Sequence, residues 1–433
     1  MKKVIYILLF FVLGMNLTAQ SVWDGRREAI RNGSGTEDDP YLIENAQNLA
    51  WFVYLINWDY GYWAKDKYFL LTTDIDLNGS SDNQWIPICA GYSVQGGKWF
   101  NGVFDGGFHK ITGLYIDTIS EIHSNESIWN SKAALFQTSN YGIIKNLYLE
   151  GEISSPKQCA GLLYQRGTVE NCIVNVDVVS IGIGTTYGGA AGILYENGNV
   201  EKSANLGNIT ARISNAGGII GYHHGSGIGI IEYCYNMGTI TGATAGGIAG
   251  LRNGSSRIIR SCYNVGSIIG NEGLSGAILG YGLNDNYVYC NFYLEDCIEN
   301  NNEFGESKSA EFMHSQAFVD LLNYNNQVDV WTMDAENTND GYPIIGDTHF
   351  GVSENFFTNT DLVIVYPNPA TDYINIVGDV ASYEVYDIVG KCVCRDARSC
   401  VSTISVSDFQ SGIYIMKFVM RNGSVVTKKI VKK

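Results

Sequence analysis

Glu170, Glu201 and Glu232 each stand two residues before a slot filled by Cys172, Ser203 and Cys234, and Arg260 takes that place before Cys262. Closely set carboxylates can act as an acid and base pair in glycoside cleavage, or can ligate a cation. Val169, Val200, Ile231 and Ile259 lie one residue earlier and look inward, so the acids are expected on an exposed corner. Carboxylates about 5 Å apart in water repel by only ~0.8 kcal/mol per pair. With Lys202 and Arg260 beside it, such a column stands without any ligand. An acid and base pair also needs pKa values driven apart by burial, which a solvated corner does not supply.

Tyr148, Tyr235 and Tyr263 each follow the slot residue and are expected to point outward, while Tyr164 and Tyr195 recur after a Gly-rich phrase. Exposed aromatic columns make flat platforms for sugars or protein partners, although Tyr also suits a pleated surface that binds nothing. Asn205, Asn236 and Asn264 lie two residues after the slot. They are expected to be structural, bonding one another and the turn backbone. His223-His224 has no Cys or acid at zinc spacing, and Asp74, Asp76, Asp105 and His109 sit in turn phrases. With no nucleophile motif, phosphate loop or metal-ligand set, neither catalytic residues nor a metal or cofactor are predicted.

These residues are spaced by a degenerate repeat. Ala160-Gly161-Leu162-Leu163, Ala191-Gly192-Ile193-Leu194, Gly217-Gly218-Ile219-Ile220, Gly246-Gly247-Ile248-Ala249 and Gly276-Ala277-Ile278-Leu279 have second positions 31, 26, 29 and 30 residues apart. Such units cannot bury a core alone and must stack. Apolar runs of three to five residues broken by Gly and Asn make them strands and turns, and the unit is short for a propeller blade. The expected fold is all-β: a right-handed parallel β-helix with helical caps, then a small C-terminal β-sandwich. Leu114 and Leu147 are assigned to the slot that later holds Cys172, and Cys234, Cys262 and Cys290 to one buried, reduced column. Cys392, Cys394 and Cys400 lie outside the repeat near a turn, where one bridge can form.

The remaining segments divide the chain. Lys2 and Lys3 before the apolar run Val4 to Leu13 make residues 1–19 a signal peptide, so the mature protein is exported. Residues 20–100 are an N-terminal cap, with helical spacing from Ile43 to Asn57, and residues 101–297 hold the repeats. Residues 298–360 are a second cap, helical over Ser309 to Asn323, with a polar hinge at Thr358 to Asp361; residues 361–433 alternate as strands. A net charge of −16 argues against nucleic acid.

Gly217-Gly218-Ile219-Ile220-Gly221 and Ser261-Cys262-Tyr263-Asn264-Val265-Gly266 resemble the GLUG motif of bacterial surface and secreted proteins. That resemblance implies a right-handed parallel β-helix of unknown or adhesive function. Tyr366-Pro367-Asn368-Pro369-Ala370, Gly412-Ile413-Tyr414-Ile415 and the closing Lys428-Lys429-Ile430-Val431-Lys432-Lys433 resemble the C-terminal sorting domain of the type IX secretion system. The second resemblance implies handling by that machinery, passage across the outer membrane, removal of the tail and attachment to surface lipopolysaccharide. The expected function is cell-surface binding or adhesion to a glycan or host protein. The alternative is a polysaccharide lyase or glycoside hydrolase with a groove along the β-helix, which the sparse charges of residues 158–296 disfavour.

Overall fold

The computed structural model describes residues 20–58, 63–90, 99–119, 132–139, 141–182, 188–224, 229–253, 257–282, 287–302, 304–323, 329–346, 364–366, 370–377, 380–388, 390–396, 403–420 and 425–433. The segments expected to be a signal peptide (residues 1–19) and a hinge (residues 358–361) lie outside the described residues. The chain is mostly strand and divides into two compact units, residues 1–351 and 352–433.

In the first unit each repeat gives strands to three parallel sheets, of sixteen, nine and five strands. One repeat supplies Leu163–Gln165, Thr168–Glu170 and Ile173–Ser180; the next supplies Leu194–Glu196, Asn199–Glu201 and Ala204–Asn205. Equivalent positions fall side by side: Leu163, Leu194, Ile220, Ala249 and Leu279 in one sheet, and Val169, Val200, Ile231, Ile259 and Val288 in another. All but the half-buried Val288 are fully buried, so one apolar core runs through the stacked repeats.

The Gly-rich phrase is set by close backbone approach. A Cβ on Gly192 would lie 2.1 Å from the Gly218 carbonyl and 2.2 Å from Asn205 Oδ1, and one on Gly218 would lie 2.1 Å from the Gly247 carbonyl. Ala277 closes the series.

Before each slot the chain turns through one residue of left-handed conformation: Asn146, Asn171, Lys202, Tyr233, Ser261 and Cys290, with φ between 47 and 54°. This corrects two assignments. Arg260 pairs with Tyr289 and Tyr263 with Phe292, so the slot beside Cys262 holds Asn291, and Cys290 is an exposed turn residue. Lys110 pairs with Tyr148 and Leu114 with Gly151, so His109, not Leu114, stands beside Leu147. Cys172, Ser203, Cys234 and Cys262 do share the buried column, and no bridge joins the thiols. Each slot side chain meets the carbonyl two residues back, Ser203 Oγ to Glu201 at 2.7 Å and Cys234 Sγ to Glu232 at 3.1 Å. Burial pushes the Cys172 thiol up to about 12, so it stays protonated.

Helix α1, Ala46–Trp58, starts where Asn45 Oδ1 accepts from the Asn48 amide at 2.7 Å. Its buried Phe52 ring packs 4.7 Å from Phe69 and 5.7 Å from Phe104, on the first strands of the core. The helix expected over Ser309 to Asn323 is two short ones, α2 (Ala310–Met313) and α3 (Gln316–Leu322). Ser315 breaks the run because its Oγ accepts from the Phe318 amide and starts a new N-terminus.

The second unit holds two antiparallel sheets. One joins Ile364–Tyr366, Tyr373–Val377 and Thr403–Ser405; the other joins Cys392–Asp396, Val380–Asp387, Gly412–Met420 and Val425–Lys432. Ile374 and Ile404 of the first share a core with Val385, Met416, Phe418 and Ile430 of the second. Cys392 and Cys394 are free thiols, and Cys400 lies outside the described residues.

Candidate functional surfaces

The carboxylate column exists in register: Lys145, Glu170, Glu201, Glu232, Arg260 and Tyr289 lie on neighbouring strands. It is not the solvated corner expected. Glu170 and Glu201 are half-buried and Glu232 is buried. Arg260 binds the Glu232 carboxylate through two nitrogens, Nε and Nη2, and Nη1 donates to the Tyr289 hydroxyl at 3.4 Å. Lys145 turns to Asp105 at 3.4 Å. Glu201 is left between two like charges. Burial, then Glu232 and Glu170, raise its pKa above the ordinary carboxyl value.

A carboxyl that holds its proton more tightly when folded loses stability for the fold once it ionises, so the penalty is present above its raised pKa and vanishes as pH falls through it. Glu201→Gln is expected to stabilise the protein at pH 7 by about 0.5 kcal/mol, since the site is half-exposed and screened. At a pH below the ordinary glutamate range of 4.5 the gain should disappear. Thermal unfolding of both chains at the two pH values checks this; a gain that persists in acid refutes it.

The tyrosine column takes the expected face but not the expected exposure. Tyr148, Ile173, Ala204, Tyr235, Tyr263 and Phe292 are neighbours in one sheet. Tyr235 and Tyr263 stack at 5.1 Å with 6° between their planes, yet both are buried, under α3 and Trp331. Trp331 lies 5.3 Å from Tyr263, and the Tyr263 hydroxyl donates to the Pro343 carbonyl at 2.6 Å. They therefore offer no platform to a ligand. Tyr148 is half-buried; Asn175 Nδ2 donates to its hydroxyl at 3.4 Å, and Lys110 Nζ sits 5.1 Å from its ring centre. Tyr164 and Tyr195 are also buried, stacked 5.6 Å apart.

The aromatics that do reach solvent along the repeats are others. Tyr222, Leu251 and Tyr281 follow Glu196 in one column, with Tyr281 exposed; Tyr289 is exposed on Val288–Tyr289, the last strand of the nine-stranded sheet, and Tyr287 is exposed just before it. Tyr222 and Tyr281 lie just beyond the matched tetrads and Tyr289 just before the left-handed Cys290, so phrase matching did not single them out. His223 is buried, and the His224 side chain lies outside the described residues. Among the described residues no three His, Cys, Asp or Glu side chains gather to hold a metal.

In the second unit Gly412 pairs with Lys432, and Tyr414 with Ile430. Tyr414 is mostly buried, its hydroxyl donating to the Gln410 carbonyl at 2.9 Å, and its ring packs 5.0 Å from Phe409. The last residue is tied in, since the Lys433 amide donates to Ala370 O and the Ala370 amide to Val431 O. Tyr366 ends a strand, while Pro367, Asn368 and Pro369 lie outside the described residues. Residues 364–433 match the family model for the secretion system C-terminal sorting domain. No curated protein sequence matches the chain. The tail that ends in this tied-down hairpin is thus a type IX sorting domain, which engages that secretion machinery and marks the chain for the outer cell surface.

Proposed function

We propose that the chain is a surface-displayed binding protein. In this proposal residues 101–297 form a right-handed parallel β-helix of GLUG-like repeats, with residues 20–100 and 298–360 as its caps. The type IX system exports it after signal-peptide removal, cleaves the tail and leaves the rest on surface lipopolysaccharide, where it adheres to a glycan or host protein. The observation that carries the proposal is the sorting domain at residues 364–433, joined to a long stack of in-register parallel strands. Such a stack supplies an extended rigid face. Binding is favoured over polysaccharide cleavage because the Glu232 carboxylate is held by Arg260 and charges are sparse across residues 158–296.

Deleting residues 364–433 is expected to abolish surface display and hold the protein in the periplasm, read by fractionation and by protease shaving of intact cells. Undiminished surface display of the shortened chain refutes the export route. A glycan and host-protein array probed with residues 20–360 tests the binding half, and silence across it refutes adhesion.

A further inference from the structure

The outer side of α1 carries a feature that neither the repeats nor the sorting domain uses. A cavity of about 390 Å³ opens between α1, the segment after Ser21–Val22 and the loop at residues 85–86, walled by Trp23, Arg27, Val53, Tyr54, Trp85 and Ile86. That volume lies within the range of small-molecule sites. Trp23 and Trp85 meet edge to face at 4.9 Å and make a rigid corner.

Three observations specify the occupant. First, the walls are mostly apolar, and the amide of Asn57 is committed: Nδ2 donates to the Pro87 carbonyl at 2.9 Å and Oδ1 accepts from the Ala90 amide at 2.9 Å. The Trp85 indole N–H is buried with no acceptor among the described residues. Second, the one charged lining group is a cation. The Arg27 guanidinium lies 4.1 Å from the Tyr54 ring centre and meets no carboxylate among the described residues, Asp24 being taken by Arg26. Third, large apolar side chains are left in water here: Trp58 is 73% exposed, Ile86 61% and Tyr54 42%, with Tyr54 and Trp58 stacked one helical turn apart. An exposed aromatic cluster around an apolar cavity marks a binding surface.

We propose that this pocket binds a compact aromatic or aliphatic body carrying a single carboxylate, the body against Trp23, Trp85 and Val53 and the carboxylate on Arg27. A neutral sugar would find too few hydrogen-bonding groups in such walls. A polyanionic chain would be repelled by the net charge of −16. A cationic ligand would meet Arg27.

The test titrates the full chain with 3-phenylpropionate and, separately, with 3-phenylpropionamide, by saturation-transfer NMR and calorimetry. The acid should bind saturably and about 5-fold or more tighter than the amide, the size of one charge-assisted contact at a partly open site. The preference should shrink in 0.5 M salt (about one Debye length of 4 Å). Arg27→Met, which keeps an aliphatic stem over Tyr54, should equalise the two ligands, and Tyr54→Ala should weaken both. Equal affinity of acid and amide for the unsubstituted chain, no saturable binding of the acid up to about 10 mM, or discrimination surviving in Arg27→Met each overturns the proposal.

Discussion

Asn236→Ala is expected to destabilise the first unit by about 3–6 kcal/mol. Asn236 is fully buried in a ladder of three side chains. Its Nδ2 donates to Asn264 Oδ1 at 2.7 Å and to the Gly238 carbonyl at 2.8 Å, and its Oδ1 accepts from Asn205 Nδ2 at 2.7 Å. Truncation leaves three buried polar groups without that partner at once, each worth about 1–3 kcal/mol, and adds a small cavity. Set against a typical stability of about 5–15 kcal/mol, the loss is severe. Because stacked repeats can open piecemeal, the readout is amide exchange at residues 205–266 together with denaturant unfolding. A loss under about 1 kcal/mol would refute the ladder as a stabilising element.

The ends of this ladder have a physical account too. Val174 occupies the upstream position beside Asn205, so Asn205 Oδ1 has no donor among the described residues; downstream, Asn264 Nδ2 points to Cys297 Sγ at 3.4 Å. A row of amides bonded head to tail leaves one acceptor over wherever it starts.

The ladder was legible because its residues recur two positions after a slot and because Asn in a strand needs such partners. The slot itself was legible only as a size class. From Cys172 onward its side chains meet backbone groups: Ser203 Oγ accepts from the Cys172 amide at 3.0 Å, and Asn291 Oδ1 accepts from the Cys262 amide at 3.1 Å. A reader matching thiols aligns Cys290 and is one residue out, since register is carried by the left-handed turn, a conformation that Asn, Lys, Tyr, Ser and Cys all adopt here. Exposure was the least legible property. The side of the sheet that Tyr235 and Tyr263 face follows from strand alternation, but whether water reaches it depends on a segment more than 50 residues downstream. Burial of Glu232 likewise depends on Arg260 in the following repeat rather than on its own flanks.

Trp331→Ala is therefore expected to act on that cover, loosening residues 309–346 from the sheet before the repeats themselves unfold. Trp331 is 1% exposed and touches both stacked tyrosines, at 6.0 and 5.3 Å between ring centres. Its removal costs about 3–5 kcal/mol as a buried aromatic truncation. Other ties remain: the Phe318 ring packs 5.9 Å from Tyr263 and 5.6 Å from Phe292. Asn339 Nδ2 donates to the Tyr263 hydroxyl at 3.0 Å, and Asp334 holds the turn by accepting from the amides of Thr338, Asn339 and Gly341. Two measurements separate local release from general unfolding. Limited proteolysis should cut between residues 304 and 346 while the repeats stay resistant. The Tyr263 phenol, held well above its ordinary pKa by burial and then by Tyr235, should titrate closer to the ordinary value of 10.0 once water reaches it. If both tyrosines keep their raised pKa and the segment stays protected, the cover is held by something other than Trp331. If cuts instead appear throughout residues 143–296, the segment supports the whole stack and does not simply lie over one face.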